Sequence, residues 1–261
     1  MLMHPTSPAK PGARALYLGA RDKKHVSCTA EALVVRNEQR QTRRYPLARV
    51  SRVVSSTVTD WSGSALALCL KSGIGITWMD VAGQALGTCY PAQRHYPPFV
   101  TAVELLTETA EGLVRYQHWL RARRMDILIR WGKTRTEPID PALWESTKRE
   151  WVYGEHVAAH LPAALRGHCL AWVGAQLAAQ GLHPELWGPD AQPIDLDQDL
   201  CELLWAEMNL GTGCLADAVQ AGEASASVFE RWNAMNGSVL MLHLASLCRT
   251  AMKTFYSLPL P

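Results

Sequence analysis

Pro91, Pro97 and Pro98 fall within the short run Tyr90-Pro-Ala-Gln-Arg-His-Tyr-Pro-Pro98, and the sequence follows different periods on its two sides. Proline fixes φ and removes a backbone donor, so neither a helix nor a central strand runs through such a segment. Before it lie short stretches rich in β-branched, aromatic and leucine residues, separated by polar turns: Ala15–Leu18, Glu31–Arg36, Val50–Val54 and Ile74–Trp78. Among them, Ala65–Leu70 reads as one helix, with a cap in Thr59-Asp60-Trp-Ser62 and a stop at Gly73. After Phe99, apolar residues recur at three- and four-residue intervals over roughly 100–131, 142–160, 163–180, 196–209 and 225–255. The expectation is an α+β protein. A small N-terminal β-rich domain with one inserted helix (13–92) precedes an all-α C-terminal domain (99–256), and 261 residues suffice for both cores.

A net charge of +2 conceals a strong segregation. Residues 1–135 carry 20 Lys/Arg against 9 Asp/Glu, whereas residues 136–230 carry 3 against 15. A basic half suits a polyanion, and an acidic half suits a cation or a basic protein face. Mutual attraction of the two halves in an oligomer is the alternative. The seven cysteines are scattered and never form Cys-x-x-Cys, which disfavours structural zinc and a disulfide framework and fits a reducing cytoplasm. No apolar run is long enough to cross a membrane, and Met1–Gly12 has no apolar centre of the signal-peptide kind and reads as a disordered tail.

Gln192–Trp205 places Asp199 and Glu202 three residues apart, on one face of an expected helix beside Leu200, Leu203 and Leu204. Paired carboxylates at the edge of a core repel unless a cation joins them, and hard oxygen ligands suit Mg²⁺ or Mn²⁺. Acidic residues favouring the positive end of a helix are the plainer explanation. Upstream, Arg115, Arg121, Arg123, Arg124, Arg130, Lys133 and Arg135 interleave with Tyr116, His118, Trp119 and Trp131, with Asp126 as the one acid between Arg115 and Arg135. Cations beside aromatics suit phosphate contact and base stacking, although a solvated cationic face has the same composition. Arg40, Arg43 and Arg44 read as a surface turn. His156 and His160 share a helix face near Glu155, without the His-Glu-x-x-His order of zinc proteases; His183 lies in a Gly-x-x-Pro turn. Walker, dinucleotide and Gly-x-Ser-x-Gly patterns are absent, which disfavours NTPase, dehydrogenase and serine hydrolase functions.

In these stretches the chain resembles the CRISPR-associated spacer-acquisition integrases, the Cas-one family. The resemblance is carried by Val50–Val54, Ser64–Leu66 with Cys69, Gly73–Trp78, Asp80–Gly83, Ala178–Pro184 and Asp199-Leu-Cys-Glu202, in that order. It implies antiviral defence through metal-dependent DNA transesterification or endonuclease chemistry, in which a 3′-hydroxyl attacks a repeat phosphodiester. Family members hold one divalent ion with a glutamate, a histidine and an acidic-helix carboxylate. Carried over, this names Glu155, Asp199 and Glu202 as catalytic ligands of Mg²⁺ or Mn²⁺, with Glu111 as a rival to Glu155. Where the family has its histidine, this chain reads Trp187-Gly-Pro-Asp190, so Asp190 stands in as an oxygen ligand or His160 reaches in. The implied partners are spacer-precursor and repeat DNA, a second copy of the chain, and the small Cas-two protein. Loss of the imidazole supports an alternative: an inactive homologue retained for DNA binding or assembly. A helical interaction domain unrelated to integrases would leave the charge segregation unexplained.

Overall fold

A computed structural model describes residues 13–91, 98–155, 161–182, 194–211 and 214–257. The described residues pack as two compact units: Met1–Tyr96 with Ala163–His183, and Pro97–Pro162 with Pro184–Pro261.

The first unit holds two four-stranded sheets. One orders β1 (Arg14–Leu18), β5 (Val50–Ser56), β7 (Ile76–Met79) and β8 (Ala85–Cys89), the first three parallel and β8 antiparallel at the edge. The other orders β4 (Thr42–Pro46), β3 (Ala32–Asn37), β2 (Lys24–Cys28) and the two-residue β6 (Asp60–Trp61). Helix α1 (Gly63–Lys71) enters where expected, because Ser62 Oγ accepts the Ala65 N–H. One core joins Leu16, Leu18, Val26, Leu33, Val53, Ile74 and Ile76 with Ala65 and Cys69 of α1, so both sheets bury apolar faces against the same interior.

Strands β2 and β4 were not legible in the sequence. In β2 only Val26 is fully buried, and β4 buries none of its five residues. Hydrogen bonding to β3, in registers Val26↔Val35 and Val35↔Arg43, builds them where side-chain period could not announce them. Arg43 and Arg44 therefore lie in an edge strand and not in the expected turn, while Arg40 does occupy a turn with φ 61°.

Helix α5 (Ala163–Gln180) interrupts the contiguous helical domain expected over 99–256. It packs on β5, β7 and β8. Val54, Met79 and Ala171 form a second small core there, flanked by Tyr17. The close approach is made by glycines: a Cβ on Gly167 would stand 2.1 Å from the Gly83 carbonyl oxygen, and Gly83 itself turns with φ 83°.

The second unit is helical: α2 (Pro98–Glu108), α3 (Ala110–Thr134), α4 (Pro141–Trp151), α6 (Leu196–Leu210), α7 (Cys214–Gln220), α8 (Ser225–Asn236) and α9 (Ser238–Ser257). The run expected over 100–131 is two helices, because Thr109 caps α3 by accepting the Gly112 N–H, and Gly112 admits the Leu106 carbonyl. The run expected over 225–255 divides at Gly237, which ends α8 by donating its N–H to the Asn233 carbonyl. Helix α4 stops well short of 160. Gly154 takes φ 75°, and the Glu155 N–H returns to the Arg149 carbonyl. Twenty-five residues long, α3 packs against α2, α4, α6 and α9 and is the element around which the unit is arranged.

Candidate functional site

Helix α6 begins at Asp195, whose carboxylate accepts the Gln198 N–H, and buries Leu196, Leu200, Leu203 and Leu204. Its 3.6-residue period leaves Asp199 and Glu202 half-buried at the rim of that apolar face. Across from them, α3 turns Tyr116 and Trp119 inward. The Tyr116 hydroxyl donates to Asp199 Oδ2 at 2.8 Å, and the Arg124 guanidinium lies 4.0 Å from Asp199 Oδ1. Each oxygen of Asp199 thus faces a group of its own protein.

Burial raises the Asp199 carboxyl above its ordinary range, opposed by the Tyr116 hydrogen bond and by Arg124, and reinforced by Asp195 and Glu202. Desolvation wins because the carboxyl is largely removed from water. The same burial, with the Asp199 charge next to it, holds the Tyr116 phenol protonated well above its usual value.

The basic helix is also largely engaged within the fold. Arg115 pairs with Glu111, Arg123 with Asp126 at 2.6 Å, Arg124 with Asp199, and Arg130 with Glu207 of α6. Arg135 lies over the Trp131 ring, which stacks on Trp144. Among the described residues, Arg121 and Lys133 enter no ion pair, and both are exposed. Two of the aromatics expected to stack on bases do not offer their faces. Tyr116 is 2% exposed and Trp119 6%, with Trp119 Nε1 donating to Ser246 of α9. Their three-residue spacing marks the inward stripe of a helix, which charge-and-aromatic composition obscured.

Glu155 is exposed in the turn beyond α4, and Glu111 is exposed in the first turn of α3. Asp190, His156, His160 and His183 lie outside the described residues. Among the described residues, no three His, Cys, Asp or Glu side chains come together as a metal-binding group, so Glu155, Asp199 and Glu202 are not gathered. Magnesium favours about six oxygen ligands at roughly 2.1 Å. A hydroxyl proton at Oδ2 and a guanidinium near Oδ1 oppose that arrangement, and the described residues do not fit a resident divalent ion. Sequence reasoning did not find Glu207 and His243. Glu207 continues the acidic rim of α6 to Arg130, and buried His243 of α9 approaches it at 3.7 Å.

Residues 17–125 match the family model described as CRISPR associated protein Cas1. A Cas1 protein from Thermotoga maritima superposes with a TM-score of 0.71 at 13% identity, covering 92% of this chain and 97% of the other. TtCas1 solved with DNA gives 0.60 at 14% identity, covering 95% and 94%, and a casposase on its integration product gives 0.52 at 13% over 80% and 73%. None of the curated proteins matches the sequence. The sequence thus matches the Cas1 family model over residues 17–125, and the fold is similar to that of solved Cas1 proteins over most of the chain.

Proposed function

We propose that the protein acts in CRISPR adaptation, on spacer-precursor and repeat DNA, as an integrase-family DNA-binding and assembly subunit. The observation that carries this reading is the end-to-end fold likeness to a Cas1 protein solved with DNA, combined with a sequence match to the family over residues 17–125. The exposed cations of α3, Arg121 and Lys133 with Arg135 beyond its end, are the DNA contacts to which this reading assigns most weight. Arg124 and Arg130 serve mainly to fasten α3 to α6, whereas Arg115 and Arg123 pair with carboxylates of their own helix. Self-association through the β-rich unit and pairing with the small Cas-two protein belong to the same proposal, as does a cytoplasmic site of action. No described helix is long and apolar enough to cross a membrane.

A second reading, metal-dependent strand transfer with Glu155, Asp199, Glu202 and Asp190 around Mg²⁺ or Mn²⁺, is favoured by one feature. Asp199 and Glu202 share a half-buried helix face. Fluorescence anisotropy on branched and half-site DNA tests the first reading: salt-sensitive binding supports it, and no binding at low salt ends it. Strand transfer into a matched repeat with Mn²⁺, abolished in Asp199→Ala, would favour the second.

A further inference from the structure

We propose that Arg124 is the resident counter-cation of Asp199, and that with Tyr116 it closes the acidic motif of α6 to divalent ions. The inference deepens the family reading above, because it concerns the motif by which that family holds its metal.

Tyr116 and Arg124 lie on one helix and address one carboxylate. The buried phenol donates to Oδ2 at 2.8 Å, and the guanidinium stands 4.0 Å from Oδ1. The side chains of Arg124 and Asp199 are both 24% exposed, so water screens their attraction less than at an open surface. A divalent ion on Asp199 would sit beside a fixed positive charge and would have to turn away a hydroxyl that has a buried ring behind it. It would also lack further donors, since no third acid, imidazole or thiol joins Asp199 and Glu202 among the described residues. The contact is repeated further along the same two helices, where Arg130 of α3 holds Glu207 of α6. Two arginines of the basic half therefore neutralise two acids of the acidic half within one chain, and α6 is clamped to α3 by charges that metal ligands would need to keep available.

The test uses the full chain with Mn²⁺ alone as the probe. Free Mn²⁺, followed by its paramagnetic resonance, should fall equally little with the wild type and with Asp199→Asn. Arg124→Gln should lower the melting temperature by roughly 2–4 °C. In an Asp199→Asn background the same change should have little further effect, and Arg124→Lys should recover part of the loss. Mn²⁺ uptake by the wild type that disappears in Asp199→Asn overturns the proposal, and so do additive melting shifts. If Arg124→Gln does not fold, Arg124→Lys against Asp199→Asn completes the same cycle. DNA binding measured on these preparations without Mn²⁺ is a separate readout. Its absence would remove the adaptation reading and leave the Arg124–Asp199 assignment standing.

Discussion

Tyr116 and Asp199 are 83 residues apart in sequence and joined by a 2.8 Å hydrogen bond between α3 and α6. The phenol is the donor, and the acceptor is a carboxylate at the rim of the α6 apolar face. Tyr116→Phe keeps the ring and removes the donor. A part-buried carboxylate left short of a hydrogen bond costs about 1–3 kcal/mol. Urea unfolding of the variant should show a loss in this range with an unchanged m-value, and no loss would mean water replaces the hydroxyl without cost.

The pH dependence of stability carries the signature of Asp199. Its folded carboxyl titrates above the ordinary Asp value, so the native state binds the proton more tightly than the unfolded chain. That contribution is fully present below the unfolded value and is lost as pH rises through the folded one. Asp199→Asn retains an acceptor for Tyr116 and removes the titration. Denaturation curves from about pH 3.5 to 7 should show the variant losing less stability than the wild type as pH rises through the mildly acidic window. Parallel profiles would mean that Asp199 does not titrate differently on folding.

Arg121 and Lys133 are expected to govern salt dependence. If both neutralise duplex phosphates, replacing them with Ala should reduce the slope of log affinity against log salt by about 0.9 for each phosphate left without its cation. Arg130→Ala should instead act chiefly on stability, because its largely buried partner Glu207 loses a counter-charge. Anisotropy titrations at several salt concentrations separate the two classes. An unchanged slope in the Arg121/Lys133 variant would exclude α3 as the DNA face.

Gly167→Ala places a methyl group 2.1 Å from the Gly83 carbonyl oxygen and 2.6 Å from the Met79 methyl. Met79 can turn aside, but the Gly83 backbone has to shift. Overpacking of this kind costs typically about 1–3 kcal/mol. Thermal unfolding should show a clear loss for Gly167→Ala. The control Gly87→Ala, where nothing lies within 4 Å of the added carbon, should stay much closer to the wild type.

Local chemistry by itself determined the order β-then-α, the Ser62 cap of α1, the extents of α5 and α6, and the shared face of Asp199 and Glu202. Each depends on residues a few positions apart, where spacing sets the hydrophobic period and a cap hydroxyl meets a nearby N–H. Strands β2 and β4 depended on β3, because a strand that buries one residue or none is held by its partner's backbone. Only the tertiary structure decided that α5 belongs with the sheets, that Tyr116 faces inward, and that the arginines of α3 meet the acids of α6. Composition records how many charges a segment carries. Which opposite charge each one meets is settled by packing between segments distant in sequence, and that pairing separates a cation already in place from one still to be bound.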